Sequence, residues 1–306
     1  MSAASASVEV EVEGRQLKLS NFEKVLYPEA GFTKGQVIDY YTRVAPALMP
    51  HLKSRALTLK RYPNGVSGQF FYEKNCPKHR PDWIDTLSVW SARNKADVNY
   101  CLIDELAALV WVANLASLEL HTSLSRADDY QNPTMLVFDL DPGPPATVVE
   151  CARVALWLRE VLDELGLQAF PKTSGSKGLQ IYVPLNSRVT YDETKPFAHA
   201  MAKLLEEQHP KDVLSVMTKD LRKGKVFIDW SQNDDSKTTV CVYSLRARER
   251  PTVSTPVTWE EVEGAVGSGD PDDLVFEADD VLGRVEEHGD LFAPVAELEQ
   301  ALPAPP

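Results

Sequence analysis

The pattern of hydrophobic and polar positions along the chain predicts helices and strands that interleave without a regular βαβ repeat. Apolar and charged residues alternate at 8–12, which is typical of a half-buried strand. Apolar positions at helical spacing predict helices at 21–26, 33–49, 104–121, 147–165, 196–208 and from 258 onwards. Short apolar runs predict strands within 56–74, where Pro63-Asn64-Gly65 breaks them, and at 135–141, 168–172, 179–184 and 225–230.

These elements favour an α+β fold in which mixed or antiparallel sheets are flanked by helices. We expect a single domain over residues 8–295, and disorder at 1–7 and 300–306, where small residues and proline dominate.

Charge is distributed unevenly over the 306 residues, whose net charge is −13. Residues 260–306 carry 14 acidic residues and one basic residue, so the rest of the chain is neutral overall. Residues 14–80 carry 12 Lys or Arg against four acidic residues. We expect a basic DNA-binding part at 15–130, a catalytic part at 131–250 and an acidic C-terminal part at 258–295. Basic residues that merely solvate the surface would give the same counts.

Cysteine usage and hydropathy indicate a cytoplasmic protein without a membrane segment. The four cysteines are scattered without a CxxC pair, which suits free thiols in a reducing compartment better than a disulfide framework. Cys76 and His79 have the spacing of half a zinc site, but the sequence offers no second half. The apolar runs are too short to cross a bilayer, and the N-terminus does not resemble a secretory signal.

Three aspartates lie in predicted strands. Asp139 and Asp141 are two residues apart, so both side chains point to one face of a strand. Asp229 is embedded in a second hydrophobic strand, Val226-Phe227-Ile228-Asp229-Trp230. Neighbouring carboxylates repel each other unless a cation lies between them, and such sets hold two divalent metals in phosphoryl and nucleotidyl transfer. Two alternatives remain: Asp141 capping the turn before Pro142, and a phosphatase with an aspartate nucleophile, although Pro142-Gly143 is not its usual continuation.

A glycine- and serine-rich loop at 173–178 connects two predicted strands. Its successive backbone N–H groups can form an anion-binding nest, and Lys177 adds a positive charge. Further cations flank the strand that carries Asp229, namely Lys219, Arg222, Lys223, Lys225, Lys237, Arg246 and Arg248. Cations beside carboxylates suit a metal-bound polyphosphate, whereas an ordinary turn and ordinary salt bridges are the alternative.

Motifs along nearly the whole chain resemble the polymerase domain of bacterial ligase D and its stand-alone relatives. These are end-joining polymerases of the archaeo-eukaryotic primase superfamily. The matching segments are NFEKVLYP (21–28), KRYPNG (60–65), FFYEK (70–74), LELH (118–121), VFDLDPG (137–143), TSGSKGLQIYVPL (173–185), KVFIDWSQN (225–233), SKTT (236–239) and YSLRAR (243–248). The resemblance implies a primase-like polymerase fold and, because the chain holds the polymerase module alone, a stand-alone enzyme.

The resemblance also implies roles for individual residues. Asp139, Asp141 and Asp229 would bind metal, and His121 would lie near the nucleotide sugar and the metal. The residues implied to bind the incoming triphosphate are Ser174, Lys177, Gln180, Lys219, Arg222, Lys237 and Arg246. Those implied to bind DNA are Lys24, Lys34, Lys60, Arg61, Phe71 and Tyr72.

Some of these implied roles have simpler alternatives. Lys24 and Lys34 would form a pocket for the 5′-phosphate of a downstream strand, and Phe71 and Tyr72 a wedge that stacks on bases. Without the resemblance, His121 would be a histidine at a helix terminus. At least one of the three aromatic residues at 70–72 would face the core.

Gln180 departs from the family pattern. Relatives commonly have histidine after SGSKG-Leu, where it donates a hydrogen bond to the triphosphate. Glutamine can also donate, but it carries no charge. We therefore expect nucleotide affinity to depend less on pH, and a Gln180→His variant to bind nucleotide more tightly below about pH 7.

The function implied is a DNA-dependent nucleotidyltransferase that fills gaps and extends ends, favours ribonucleotides and uses Mn²⁺ or Mg²⁺. Its partners would be nucleoside triphosphates, gapped or broken DNA with a 5′-phosphate, and in end joining Ku and a DNA ligase. Two alternatives are a primase that starts chains de novo and a DNA-end bridge with weak chemistry.

Overall fold

The computed structural model describes residues 7–92 and 94–303. Its helices are α1 (Lys34–Leu52), α2 (Leu106–Asn114), α3 (Val148–Glu164), α4 (Tyr191–Gln208), α5 (Trp259–Ser268), α6 (Ala278–His288) and α7 (Ala293–Glu297). Its shorter strands are β1 (Ser7–Val12), β2 (Arg15–Ser20), β3 (Val25–Tyr27), β4 (Phe32–Thr33), β10 (Ser125–Arg126) and β11 (Asp129–Pro133), which form two-stranded pairs.

Two larger sheets contain the remaining strands. The first contains β5 (Leu57–Arg61), β6 (Phe71–Glu73), β7 (Thr86–Ser91), β8 (Ala96–Cys101), β9 (Ser117–Thr122) and β17 (Thr239–Val240). Its strand order is β17-β9-β5-β8-β7, and β6 also pairs with β5. The second has the order β13-β14-β12-β16-β15; these strands are β12 (Met135–Pro142), β13 (Phe170–Thr173), β14 (Leu179–Pro184), β15 (Val213–Leu214) and β16 (Val226–Asp229). Only β15 and β16 pair in parallel in that sheet, so the predicted α+β architecture with mixed sheets is confirmed.

Each sheet has its own hydrophobic core. The core beside the first sheet includes residues of α1, α2, α6 and α7, and extends from Leu17 to Val295 along the chain. The core beside the second sheet includes residues of α3, α4 and α5. Strand β12 contributes to both, because Leu136, Phe138 and Leu140 belong to the second core while Met135 and Val137 belong to the first. Side chains alternate along a strand, so Asp139 and Asp141 lie on the side of Met135 and Val137.

Helices α1 and α3 start within one residue of their predicted starts, and each start is capped by local hydrogen bonds. The Thr33 hydroxyl accepts from the Gln36 backbone N–H at 3.3 Å, and the Gln36 side chain accepts from the Thr33 backbone N–H at 2.9 Å. Thr147 and Glu150 form the same reciprocal box at the start of α3. These bonds satisfy donors that the first turn of a helix leaves unpaired. Helix α1 extends to Leu52, beyond the predicted end at 49.

One predicted helix is absent and another is shorter than predicted, and in both cases a residue has a left-handed backbone conformation. The predicted helix at 21–26 is a turn followed by β3, and Asn21 has φ 60°. The predicted helix at 104–121 ends at Asn114; Ala116 has φ 57°, and β9 begins at Ser117. Alanine rarely adopts this conformation, so the residue type at position 116 does not indicate that the chain turns there.

The prediction of free cysteines was wrong for one pair, because Cys76 and Cys101 form a disulfide. The backbone N–H of Cys76 donates to Asn99 O at 2.6 Å, which brings the segment after β6 against β8. Cysteines 25 residues apart give no local signal of such pairing. Cys76 is consequently not free to bind zinc, and the His79 ring instead lies 6.1 Å from the ring of Trp111.

Parts of the predicted disorder are also ordered. Ser7 begins β1, and the backbone N–H of Gln300 donates to Leu185 O at 2.8 Å. The remainder of that prediction at 1–6 and 304–306 lies outside the described residues. No helix within the described ranges is long and apolar enough to cross a membrane.

The acidic C-terminal part is attached to α1 through Asp290. Its carboxylate lies 2.8 Å from Nε2 of the buried His51 and accepts from the Tyr243 hydroxyl at 2.7 Å and the Phe292 backbone N–H at 2.9 Å. Burial alone would raise the pKa of Asp290, but the hydrogen bonds and the charge of His51 hold it below its usual value. Another ion pair, between Arg43 of α1 and Glu286 of α6 at 3.3 Å, is exposed.

We expect Asp290→Ala to lower the free energy of unfolding by about 3 kcal/mol, because it leaves His51 and Tyr243 buried without their partner. Glu286→Ala breaks the exposed ion pair and should change it by less than about 1 kcal/mol. Urea unfolding followed by circular dichroism measures both variants. Equal effects would show that Asp290 does not anchor this part of the chain.

Candidate active site

A row of polar side chains crosses four strands of the second sheet. Lys172 on β13 pairs in register with Gln180 on β14, Gln180 pairs with Asp139 on β12, and Asp139 pairs with Asp229 on β16. Asp141 lies two residues further along β12 on the same side. The strand register therefore places the backbone positions of Asp139, Asp141 and Asp229 close together on neighbouring strands.

The two aspartates of β12 are electrostatically strained. Burial and the charges of Asp141 and Asp229 raise the pKa of Asp139, although a hydrogen bond from Gln180 lowers it. Partial burial and the charge of Asp229 raise the pKa of Asp141, against Arg222 and Arg246. Carboxylates that repel each other in this way are stabilised by a cation placed between them, and hard divalent ions prefer such oxygen donors.

Asp229 directs its carboxylate towards the following turn. It accepts from the backbone N–H of Ser231 at 3.0 Å, from the Ser231 hydroxyl at 2.5 Å and from the Gln232 side-chain amide at 2.8 Å. Within 7–92 and 94–303, no group of three or more His, Cys, Asp or Glu is arranged to hold a metal ion. Asp139 and Asp141 fit such an ion by their chemistry, and ligation by Asp229 stays a prediction.

The glycine- and serine-rich loop packs closely against β12. A Cβ on Gly178 would lie 2.0 Å from Leu140 O, so no other residue fits there without a shift of the backbone. Gly175 has φ 63° and its Cβ position lies 2.5 Å from the Val253 backbone. The Ser174 hydroxyl accepts from the backbone N–H groups of Ser176 and Gly178 at 3.3 and 3.2 Å. These contacts place the loop beside the aspartates.

An open cleft of about 470 Å³ contains most of the predicted site. The predicted site residues that line it are His121, Asp139, Asp141, Ser174, Lys177, Gln180, Lys237, Arg246 and Tyr72. Lys237 donates to the Ser231 hydroxyl at 2.5 Å, and Arg246 donates to Ser174 O at 2.6 Å. The cleft thus combines two carboxylates, the glycine- and serine-rich loop and four cations, Lys74, Lys177, Lys237 and Arg246, which suits a polyphosphate ligand.

Glu119 on β9 holds several of these residues in place, and the sequence did not single it out. Its carboxylate lies 3.0 Å from Lys60 Nζ, 3.0 Å from His121 Nε2 and 3.3 Å from Arg246 Nε. It also accepts from the Ala247 backbone N–H at 3.2 Å. Burial alone would raise the pKa of Glu119, but the His121 hydrogen bond and the charges of Arg246 and Lys60 hold it well below its usual range.

His121 lies on β9 and not at the end of a helix, so the alternative of a helix-terminal histidine was wrong. Burial lowers the pKa of His121, and the charges of Arg246 and Lys60 act in the same direction, whereas Glu119 raises it. The ring is therefore held neutral more readily than a free imidazole, with Glu119 fixing its orientation.

Lys172 is fully buried at the other end of the polar row. Its ammonium donates to Gln180 Oε1 and to the Ser254 hydroxyl, both at 2.6 Å. Burial lowers the pKa of Lys172 to about 7, although the charge of Asp139 raises it. Gln180 lines the cleft but is almost fully buried, and its amide oxygen is already engaged by Lys172. The predicted contact between Gln180 and nucleotide stays a prediction.

Lys219 and Arg222 are not among the described residues that line the cleft. Lys219 lies in an exposed 3₁₀ turn, Lys219–Leu221. The guanidinium of Arg222 covers the Phe227 ring at 3.9 Å, and its Nη1 lies 3.9 Å from the Asp141 carboxylate. Arg222 can therefore approach a ligand at Asp141, whereas the role of Lys219 stays a prediction.

A basic cluster surrounds the N-terminus of α1. The Lys34 ammonium donates to Ser20 O at 2.6 Å, and the Lys24 ammonium donates to Asn64 Oδ1 at 3.3 Å. Burial, followed by the charges of Lys24 and Arg61, lowers the pKa of Lys34 to about 8. Mutually repelling cations at a helix N-terminus favour an anion between them.

The aromatic residues at 70–72 are all exposed, so the alternative of core packing was wrong. Phe70, Phe71 and Tyr72 expose 50%, 43% and 58% of their surface. The Lys60 ammonium lies 4.6 Å from the Phe70 ring centroid and 5.5 Å from that of Tyr72. Arg61 covers Phe71 at 5.2 Å and pairs with Glu73 at 2.7 Å. Exposed rings beside cations form a surface on which bases can stack.

Comparison with known proteins identifies the family. A family model described as LigD, primase-polymerase domain, matches residues 33–292. The chain belongs to this family. Its fold resembles the solved polymerase domain from Mycobacterium tuberculosis ligase D in complex with DNA, with a TM-score of 0.85 and 39% identity over 93% of this chain and 99% of that one. The predicted family and primase-polymerase fold are confirmed.

Curated members of the LigD family are similar over most of this chain. The multifunctional non-homologous end joining protein LigD of Mycolicibacterium smegmatis is 42% identical over 92% of the chain and 36% of its own length. The bifunctional LigD of Bacillus subtilis is 30% identical over 90% of the chain and 43% of its own length. The chain therefore spans about two fifths of the length of these relatives.

We expect Glu119→Gln to destabilise the protein by about 3 kcal/mol near neutral pH, because it leaves Lys60 and Arg246 without their buried counter-charge. Because the pKa of Glu119 is lowered on folding, its contribution is full above the unfolded value of about 4.3 and is lost as the pH falls towards the folded value. Urea unfolding of both proteins at several pH values should show the difference shrinking below about pH 4. A constant difference would contradict the assignment.

Proposed function

We propose that this chain is a DNA-dependent nucleotidyltransferase that fills gaps and extends ends during the repair of DNA breaks. One observation carries the proposal most: Asp139 and Asp141 project from one face of β12 into a cleft that Lys177, Lys237 and Arg246 also line. The homologous polymerase domain whose fold matches was solved with DNA, and the curated relatives are end-joining proteins. Both facts support DNA as the partner of this cleft.

Two divalent metal ions, Mn²⁺ or Mg²⁺, belong to the proposal, with Asp139, Asp141 and Asp229 as their ligands. When bound, such ions supply the positive charge that lowers the pKa of a primer 3′-hydroxyl and balances the charge of a triphosphate. The raised pKa values of the two aspartates on β12 support this, because a cation is what their mutual repulsion lacks.

The chain's own residues bind and orient the nucleotide. The loop residues Ser174, Ser176, Lys177 and Gly178 line the cleft, where the positive charge of Lys177 suits phosphate oxygens. Arg246, held between Glu119 and Ser174 O, presents its positive charge at a set position. A preference for ribonucleotides, and Ku with a DNA ligase as partners, are also part of the proposal, and they rest on the family.

We expect Asp139→Ala and Asp141→Ala each to reduce nucleotide addition by more than about 10²-fold, because metal electrostatics supply several kcal/mol in the transition state. Primer extension on a gapped duplex, with ribo- or deoxynucleotides and Mn²⁺ or Mg²⁺, measures this. DNA binding, followed by fluorescence anisotropy, should change little. Asp163→Ala, an exposed aspartate on α3, is the matched control. Extension at the rate of the unaltered protein by either active-site variant would refute the assignment.

We expect the binding of gapped DNA to depend on a 5′-phosphate through Lys24 and Lys34. Each phosphate contact should add about 0.7–0.9 to the magnitude of the salt slope. The combined Lys24→Ala and Lys34→Ala variant should therefore lose the preference for phosphorylated over unphosphorylated gaps.

Anisotropy titrations with the two gapped duplexes at several salt concentrations provide the measurement. Lys53→Ala, at the opposite end of α1, should keep the preference. If the double variant still discriminates between the duplexes, the phosphate pocket lies elsewhere.

A further inference from the structure

A buried lysine and a buried glutamine lie behind the aspartates of β12. Lys172 and Gln180 are fully or nearly fully buried, and they are register neighbours in the row that continues to Asp139. An ammonium group placed in a protein interior is costly unless its protons have acceptors. Lys172 has two, Gln180 Oε1 and the Ser254 hydroxyl, each at 2.6 Å.

These contacts determine which way the Gln180 amide points. An ammonium group donates and does not accept, so the amide oxygen of Gln180 must face Lys172. An ionised carboxylate accepts and does not donate, so the amide N–H must face Asp139, the register partner of Gln180 on β12. Both neighbours therefore impose the same orientation. A flipped amide would place its N–H groups against the Lys172 ammonium and its oxygen against the Asp139 carboxylate.

We propose that Lys172 is a positioning residue that, through Gln180, orients the carboxylate of Asp139 for metal and nucleotide binding. Lys172 does not touch the ligand; it acts by fixing the amide that donates to Asp139. Partners behind a metal ligand commonly set its orientation, and their loss costs about 10–100-fold in metal affinity or activity. The inference rests on the proposed function in that it takes Asp139 as a metal ligand.

Glutamine suits a position between a buried ammonium group and a carboxylate. A buried ammonium beside residue 180 requires an acceptor there, while Asp139 on the other side requires a donor. Glutamine supplies both in one flat group. A neutral histidine can do so with one tautomer only, and a protonated histidine would place a second positive charge beside Lys172. The expected gain of a Gln180→His variant below about pH 7 is therefore opposed by Lys172.

A double-mutant cycle tests the proposal. Lys172→Met removes the orienting group, Gln180→Met removes the amide itself, and the combined variant removes both with side chains of similar length. Affinity for Mn²⁺ without DNA is measured by electron paramagnetic resonance of the free ion, and nucleotide addition by single-turnover primer extension. Thermal unfolding of each variant measures stability separately.

We expect each single variant to bind Mn²⁺ about 10–100-fold more weakly. The double variant should be no weaker than Gln180→Met alone, since Lys172 acts only through Gln180. Ser254→Ala, which keeps the bond between Lys172 and Gln180, should lose stability but retain Mn²⁺ affinity. Lys203→Met makes the same change at an exposed position of α4 and should match the unaltered protein.

Unchanged Mn²⁺ affinity in Lys172→Met would overturn the proposal, and so would additive effects in the double variant. If Lys172→Met does not fold, the double variant, in which two apolar groups replace the buried polar pair, is compared with Gln180→Met, and a further loss would refute the proposal. Asp139→Ala separates the two claims. If it retains Mn²⁺ binding and nucleotide addition, the proposed function fails; if it loses both while Lys172→Met does not, only this inference fails.

Discussion

The buried carboxylate of Glu119 is the contact on which the arrangement of the cleft depends. It brings together Lys60, His121 and Arg246, which come from β5, β9 and the segment after β17. Arg246 in turn donates to Ser174 O in the loop that borders the second sheet. Through Arg246, this negative charge links the first sheet to the loop that borders the second. Without it, the cations would repel one another in a region that water reaches poorly.

Lys172 is a second buried charged group, but unlike Glu119 it has neutral hydrogen-bond partners. Glu119 is stabilised by ion pairs, whereas Lys172 is held by neutral acceptors and has its pKa lowered by burial. The first arrangement fixes a negative charge between cations, and the second fixes an ammonium group whose protons are directed to Gln180 and Ser254.

The sequence predicted the strands that carry the aspartates, because alternation places Asp139 and Asp141 on one face whatever the rest of the fold does. It also predicted the starts of α1 and α3, since reciprocal capping is local. It missed Glu119, whose partners Lys60 and Arg246 are 59 and 127 positions away along the chain. It likewise missed the reversal at Ala116 and the disulfide between Cys76 and Cys101, because each depends on the surrounding structure and not on local residue type.

The polar row across β13, β14, β12 and β16 makes the pairing of these strands all-or-none. Neighbouring positions on β14 are Leu179 and Ile181, so a slip by one residue would place an apolar side chain opposite Asp139 and Lys172. Both charged groups would then be buried without partners, at a cost of several kcal/mol. Misaligned sheets are consequently disfavoured by the same side chains that line or support the cleft. The same four side chains therefore specify the register in which these strands pair.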